Sequence, residues 1–169
     1  PIQIQCETSF YHTRFLILLQ SFAHFTPTPQ KIVAQKPKTI SSKEEFEVIK
    51  THCMQGANML RRLENFEDEP LLQTAYEIAR WHHERWDGRG YPDGLKGNDI
   101  PISAQIISLA NVYDALTSER CYKEAFSHET AMRMILNGEC GAFNPLLLEC
   151  LTDIQAELQK KSQNIAVNR

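Results

Sequence analysis

Arg80-Trp81-His82-His83-Glu84-Arg85-Trp86-Asp87-Gly88-Arg89-Gly90-Tyr91-Pro92-Asp93-Gly94 is the stretch on which the reading of this chain turns. Its first residues close an apolar-periodic helix, and its last ones form a loop punctuated by glycine and proline. Neighbours on a helix project about 100° apart, so His82 and His83 serve one site there only if it is large or one ring supports from the side. Neutral imidazoles suit first-row transition metals, and His52, on the preceding helical pattern, makes a third candidate ligand. Hydrolytic metal pairs also want carboxylates, for which Glu84, Asp87 and Asp114 are the acids at hand. In the loop, glycines let backbone amides approach an anion, Arg89 and Lys96 bring charge, and Tyr91 can stack or donate a hydrogen bond. A tight surface turn with incidental charges is the plainer reading of the same composition.

Outward from this stretch the chain reads as helices. Towards the N-terminus, a pattern from roughly Pro70 to Arg85 buries Leu72, Ala75, Tyr76, Ile78 and Ala79, with Pro70 in the first turn, where a missing amide costs least. Before it, Ser41 and Glu44 form a capping box opening a helix from Ser42 toward Lys50. That helix places Phe46 and Ile49 inward, passes His52, and continues through Met54, Ala57, Met59, Leu60 and Leu63 to an acidic loop at 64–69. Phe10 to Phe25 reads as a helix buried on most sides, broken by Thr26-Pro27-Thr28-Pro29.

Towards the C-terminus, 86–101 reads as an ordered loop. A helix from Ile102 to Ser118 then buries Ile106, Leu109, Ala110, Tyr113, Ala115 and Leu116. Ser127 caps a helix from His128 to Leu136, ended by Gly138 or Gly141, and Asn144-Pro145 opens the last. There Leu147, Leu151, Ile154 and Leu158 form a seam that packs on the domain's own core or, as the lesser alternative, on a second subunit in a homodimer. Residues 159–169 are expected to fray. No strand alternation occurs, so the fold class is all-α, a compact helical bundle in one domain of 169 residues.

Composition narrows the function. A net charge of −3 leaves no basic footprint for duplex nucleic acid or an anionic membrane, so neither is expected as a partner. The longest apolar run, Phe15 to Leu19, falls far short of the roughly 20 residues of a membrane span. Five cysteines without a CxxC pair argue for reduced thiols and a cytoplasmic setting.

The string His82 to Leu95, then Ile100-Pro101, then Asp114-Ala115-Leu116-Thr117-Ser118-Glu119-Arg120-Cys121-Tyr122-Lys123, closely resembles the HD-GYP family. The best match runs over 36–151, from Lys36-Pro37 through Glu44-Glu45-Phe46 and Lys50-Thr51-His52 and on past Phe143-Asn144-Pro145, while 1–35 reads as divergent or truncated. The resemblance implies an all-helical bacterial signalling domain that hydrolyses cyclic di-GMP with two or three metal ions, commonly iron or manganese. It implies metal-ligand positions at His52, His82 and His83, and a substrate-bordering loop at Arg89, Gly90, Tyr91 and Pro92. It further implies nucleotide contacts at Asp114, Arg120 and Lys123.

Two departures from that pattern bear on the chemistry. The family's His-Asp pair should fall shortly before Lys36-Pro37, where Gln20-Ser21 stands, and no Asp occurs before Asp68. Where the family has Ala-Asp, this chain has Ala110-Asn111, so Asn111 marks a lost ligand position. Two fewer anionic ligands leave oxygen-preferring metals poorly held, although three imidazoles can still hold one ion. The expectation is therefore an HD-GYP-type domain with impaired catalysis and reduced metal occupancy, a single ion or none. A nucleotide-sensing or protein-docking module acting through the Gly-Tyr-Pro loop on cyclic di-GMP or a signalling partner is one alternative; an active enzyme with rearranged ligands is the other.

Overall fold

A computed structural model describes residues 43–63, 66–118 and 124–167, with the side chains of 161–167 left out. All of these belong to one compact unit, Ser42–Arg169. Five α-helices follow in order: α1 Lys43–Arg61, α2 Pro70–Trp81, α3 Ile102–Thr117, α4 His128–Leu136 and α5 Pro145–Val167, with a 3₁₀ turn at Gly97–Asp99 before α3. There is no strand among the described residues, so the chain is all-α. The expected helix over Phe10–Phe25 and the capping box at Ser41 lie outside the described residues.

The helix starts follow local chemistry. Ser127 Oγ accepts the Thr130 amide at 3.2 Å, and Asn144 Oδ1 accepts the Leu146 amide at 3.0 Å, each satisfying an amide that a first helical turn cannot. At the other end of α4, Gly138 (φ 73°) takes the left-handed geometry that lets its amide and that of Glu139 return to Ile135 and Met134 carbonyls.

Packing joins α1 to α2, α2 to α3 and α3 to α4. The core gathers Leu109, Tyr113 and Leu116 of α3, Ala131, Met132 and Ile135 of α4, and Leu151 of α5, with Leu147, Leu148 and Leu158 packed against it. Three of the four seam residues of α5 are thus used within the unit, whereas Ile154 is 43% exposed. A second contact matters for the site. A methyl on Gly56 of α1 would sit 3.5 Å from Ala79 Cβ of α2, so the two backbones run close, with His52 one turn before Gly56 and His82 just beyond Ala79.

Several expectations need correction. Phe46 and Ile49 are exposed rather than inward, as are Ile106 and Ala110 of α3, where Ala104, Gln105 and Ile107 are buried instead. Periodicity fixes the width of an apolar stripe but not which edge meets a neighbour. On α2 no residue is fully buried; Leu72, Ala75, Tyr76, Ile78 and Ala79 are half-buried. That helix also ends at Trp81, four residues early, with His82 as its C-cap, and α5 stays helical to Val167 where fraying was expected.

Candidate metal centre and its loop

Because α2 stops at Trp81, His82 and His83 escape the 100° spread of a helix. Their rings lie 4.1 Å apart, centroid to centroid, and His52 of α1 lies 5.3 Å from His82 and 5.1 Å from His83. The three histidines share one site, so the condition attached to the pair in the sequence reading does not apply.

Two of these rings have their tautomers set. His52 Nδ1 lies 2.5 Å from the Ile49 carbonyl oxygen and His82 Nδ1 lies 2.8 Å from that of Ile78. A carbonyl oxygen only accepts, so each Nδ1 carries the proton and each Nε2 presents a lone pair. Those two Nε2 atoms face each other at 3.3 Å. Two lone pairs at that separation call for a cation between them. Burial, followed by its histidine neighbours, pushes His83 down to about 3, and burial then His52 lower His82; both rings are therefore neutral near pH 7, the form that binds metal.

Cys53 joins them, with Sγ 3.5 Å from His52 Nε2 and no exposed surface. Burial, and then the Glu84 charge, push its thiol up to about 12. The ligand atoms of His52, Cys53, His82 and His83 all lie within 4.8 Å of one another, and no carboxylate belongs to the group among the described residues. Three imidazoles and a thiol fit a transition-metal ion of the softer kind.

Glu84, considered as a metal-site acid, organises the loop instead. It is only 3% exposed, and Oε1 accepts the amides of Asp93 at 2.7 Å and Gly94 at 3.0 Å, while Oε2 is buried with no partner among the described residues. Burial pushes this carboxyl up, and the loop amides of Asp93, Gly94 and Leu95 pull it back. Asp93 in turn accepts a fork from Arg80 (2.8 and 3.0 Å) and the Trp81 indole N–H (2.7 Å), which hold its carboxyl below the usual range. The Tyr91 amide donates to the His83 carbonyl at 3.2 Å. At Gly90 the backbone passes so near that a Cβ would lie 2.4 Å from Glu84 Cα and the Arg85 nitrogen; only glycine fits.

These contacts lay Tyr91 flat on His83, ring centroids 4.7 Å apart and planes 25° from parallel, with Phe46 edge-on to Tyr91 at 6.0 Å. Burial pushes the Tyr91 hydroxyl up to about 12. Lys50 Nζ stands 4.8 Å above the Phe46 ring. Here opens a cavity of about 320 Å³ lined by Lys50, His83, Glu84, Arg89, Tyr91 and Phe143 among others. It carries three cationic side chains, Lys50, Arg85 and Arg89, and an aromatic face beside His83, which suits a planar anionic ligand.

Of the residues named from sequence, the structure brings together His52, His82, His83, Gly90 and Tyr91, with Arg89 on the same cavity and Pro92 following Tyr91 through a cis peptide. Asn111 and Asp114 lie on exposed positions of α3, and Asp114 accepts from the Ser118 hydroxyl at 3.0 Å and is not among the clustered ligand atoms. Arg120 and Lys123 lie outside the described residues. Sequence reasoning missed Cys53 as a cluster member and Glu84 as the loop's anchor. Adjacency to His52 was the available signal for the first, and the second had none.

Comparison with known proteins fits this arrangement. Residues 18–142 match the HD domain family. The chain is 45% identical over 108 residues to a probable cyclic di-GMP phosphodiesterase of Vibrio cholerae, covering 63% of this chain and 24% of that protein. It is 40% identical over 119 residues to a cyclic di-GMP phosphodiesterase of Thermotoga maritima, covering 70% and 31%. Over 121 residues it is 36% identical to 3'3'-cGAMP-specific phosphodiesterase 2 of Vibrio cholerae, covering 72% and 22%. The chain thus spans less than a third of the length of each of these relatives.

Proposed function

The chain belongs to the HD domain family, of the HD-GYP type, and from that premise we propose that it acts in bacterial cyclic di-GMP signalling as a nucleotide-binding domain with impaired phosphodiester hydrolysis. Residues 1–169 are read as one such domain, divergent in its first 35 residues and part of a longer cytoplasmic protein. The observation that carries the proposal is the composition of the cluster: three histidines and a thiol converge under Tyr91, and no carboxylate accompanies them among the described residues. The sequence supports it, having no Asp before Asp68 and an amide at Asn111.

In this reading His52 and His82 offer their Nε2 lone pairs to a divalent ion, their Nδ1 protons being committed to Ile49 and Ile78 carbonyls. Such an ion, when bound, would polarise a phosphate oxygen and acidify a water. The chain's own residues do the rest: Tyr91 offers a face to a base, Lys50 and Arg89 offer charge to phosphate, and Glu84 holds the loop that positions both Tyr91 and Arg89. Without anionic bridges a second ion lacks ligands, which is why hydrolysis is expected to be slow.

Elemental analysis paired with a turnover assay tests the proposal. At most one transition-metal ion per chain is expected, with saturable binding of cyclic di-GMP by calorimetry and turnover at least ~10³-fold below that of the relatives assayed alongside, a loss of about 4 kcal/mol in barrier lowering. Two or more ions per chain with multiple turnovers would overturn the impairment, and absence of nucleotide binding with and without metal would overturn the binding role. Including 3'3'-cGAMP in both assays decides between the two cyclic dinucleotides that the relatives' names carry.

A further inference from the structure

The distances between ligand atoms constrain what could sit among them. A four-coordinate ion with bonds of ~2.05 Å to imidazole nitrogen and ~2.3 Å to thiolate sulfur keeps two nitrogens ~3.3–3.4 Å apart, and a nitrogen and a sulfur ~3.6 Å apart. His52 Nε2 lies 3.3 Å from His82 Nε2 and 3.5 Å from Cys53 Sγ. The spacing therefore fits a tetrahedral ion on both kinds of edge. A pair of oxygen-preferring ions asks instead for bridging carboxylates, and the clustered ligand atoms include none among the described residues. Cys53 is also well protected, since its side chain is 0% exposed on the α1 face that meets α2.

We infer that Cys53 is a metal ligand, and that the site takes a single thiolate-preferring ion of the zinc class through His52, Cys53, His82 and His83. The inference rests on the proposed reading of the histidines as ligands, and adds to it the number and kind of ion. On binding, the S–H bond breaks, the sulfur keeps the electron pair and donates it to the ion, and the proton leaves to water with no change of oxidation state. Soft thiolate disfavours manganese and magnesium, which prefer oxygen, and favours zinc or cobalt. All four ligand atoms lie within 4.8 Å of one another, and His83 is held in the set by its stack on Tyr91 and its contact with His82.

Titration of the chain with cobalt(II), watched by absorption, tests this. The expected result is saturation at one equivalent with an intense near-ultraviolet thiolate-to-cobalt charge-transfer band beside the visible ligand-field bands. In Cys53→Ser the charge-transfer band should vanish, the visible bands should persist, and affinity should fall at least ~10-fold, the scale on which metal sites respond to a lost supporting group. A wild-type chain that saturates at one cobalt without the charge-transfer band, or a Cys53→Ser variant that keeps it, overturns the thiolate ligand and leaves the histidine reading standing. A wild-type chain that binds no cobalt overturns both. X-ray absorption on the zinc-loaded wild type needs no variant: a sulfur shell at ~2.3 Å is expected, and a shell of nitrogen and oxygen alone sinks the inference.

Discussion

The apolar cluster shared by α3, α4 and α5 and the loop at 82–101 are held by opposite means. The cluster is made of Leu109, Leu116, Ala131, Met132, Ile135 and Leu151 with Tyr113, and its contacts are many, weak and without direction. The loop is held by a handful of directed contacts: Glu84 on two amides, Asp93 on Arg80 and Trp81, and one backbone clearance at Gly90. Damage to the cluster should therefore be felt as lost stability across the unit. Damage to the loop should be felt at the site first.

Four substitutions press on that contrast. Ile135→Ala, at a fully buried position, should cost about 2–5 kcal/mol of stability, read as a fall in denaturant midpoint, while the folded fraction keeps its metal stoichiometry. A lost stoichiometry at unchanged midpoint would break the comparison from one side. Gly90→Ala forces a methyl to within 2.4 Å of the Glu84 backbone; it should cost about 1–3 kcal/mol and displace Tyr91 from His83. Calorimetry should then show nucleotide affinity down by more than ~10-fold, about 1.4 kcal/mol, and unchanged affinity would break it from the other side.

The third substitution sharpens the contrast through pH. Asp93→Asn removes the negative charge and one of the two oxygens that accept the Arg80 fork, whose side chains are 19% and 33% exposed, so about 1 kcal/mol is expected at pH 7 after allowing for solvent screening. The Arg80 contact, then the Trp81 N–H, hold the Asp93 carboxyl below its ordinary value. A depressed folded value means the unfolded chain binds more protons in the window between the two, so stability there rises with pH. The difference between wild type and variant should thus be complete above about pH 5 and shrink as pH falls through the usual aspartate range near ~4; a difference that grows on acidification would refute the ion pair. Smallest is Glu47→Gln, which removes the exposed Lys50 pair at 2.7 Å and should shift stability by less than ~0.5 kcal/mol.

What the sequence disclosed follows the same division. Helix starts at Pro70, His128 and Pro145 were legible because a capping side chain or a first-turn proline acts within three residues, and the structure places α2, α4 and α5 there. The inward faces of α1 and α3 were misjudged at Phe46, Ile49 and Ile106, since a period says nothing about which neighbour arrives. The C-terminal end of α2 was read four residues late because the amphipathic pattern runs on past Trp81; the Tyr91 amide bonded to the His83 carbonyl shows the chain already turning back. Imidazole chemistry and the family resemblance both picked out His52, His82 and His83, yet Cys53 went unread beside His52, and the role of Glu84 depends on amides nine and ten residues away.

That last arrangement has a dynamic consequence. One oxygen, Glu84 Oε1, serves as acceptor for both Asp93 and Gly94, so the two amides have no separate means of release. The loop tip should open as a latch does, all at once, and the Asp93 and Gly94 amide protons should exchange with solvent deuterium at a common rate, distinct from those of the helices on either side.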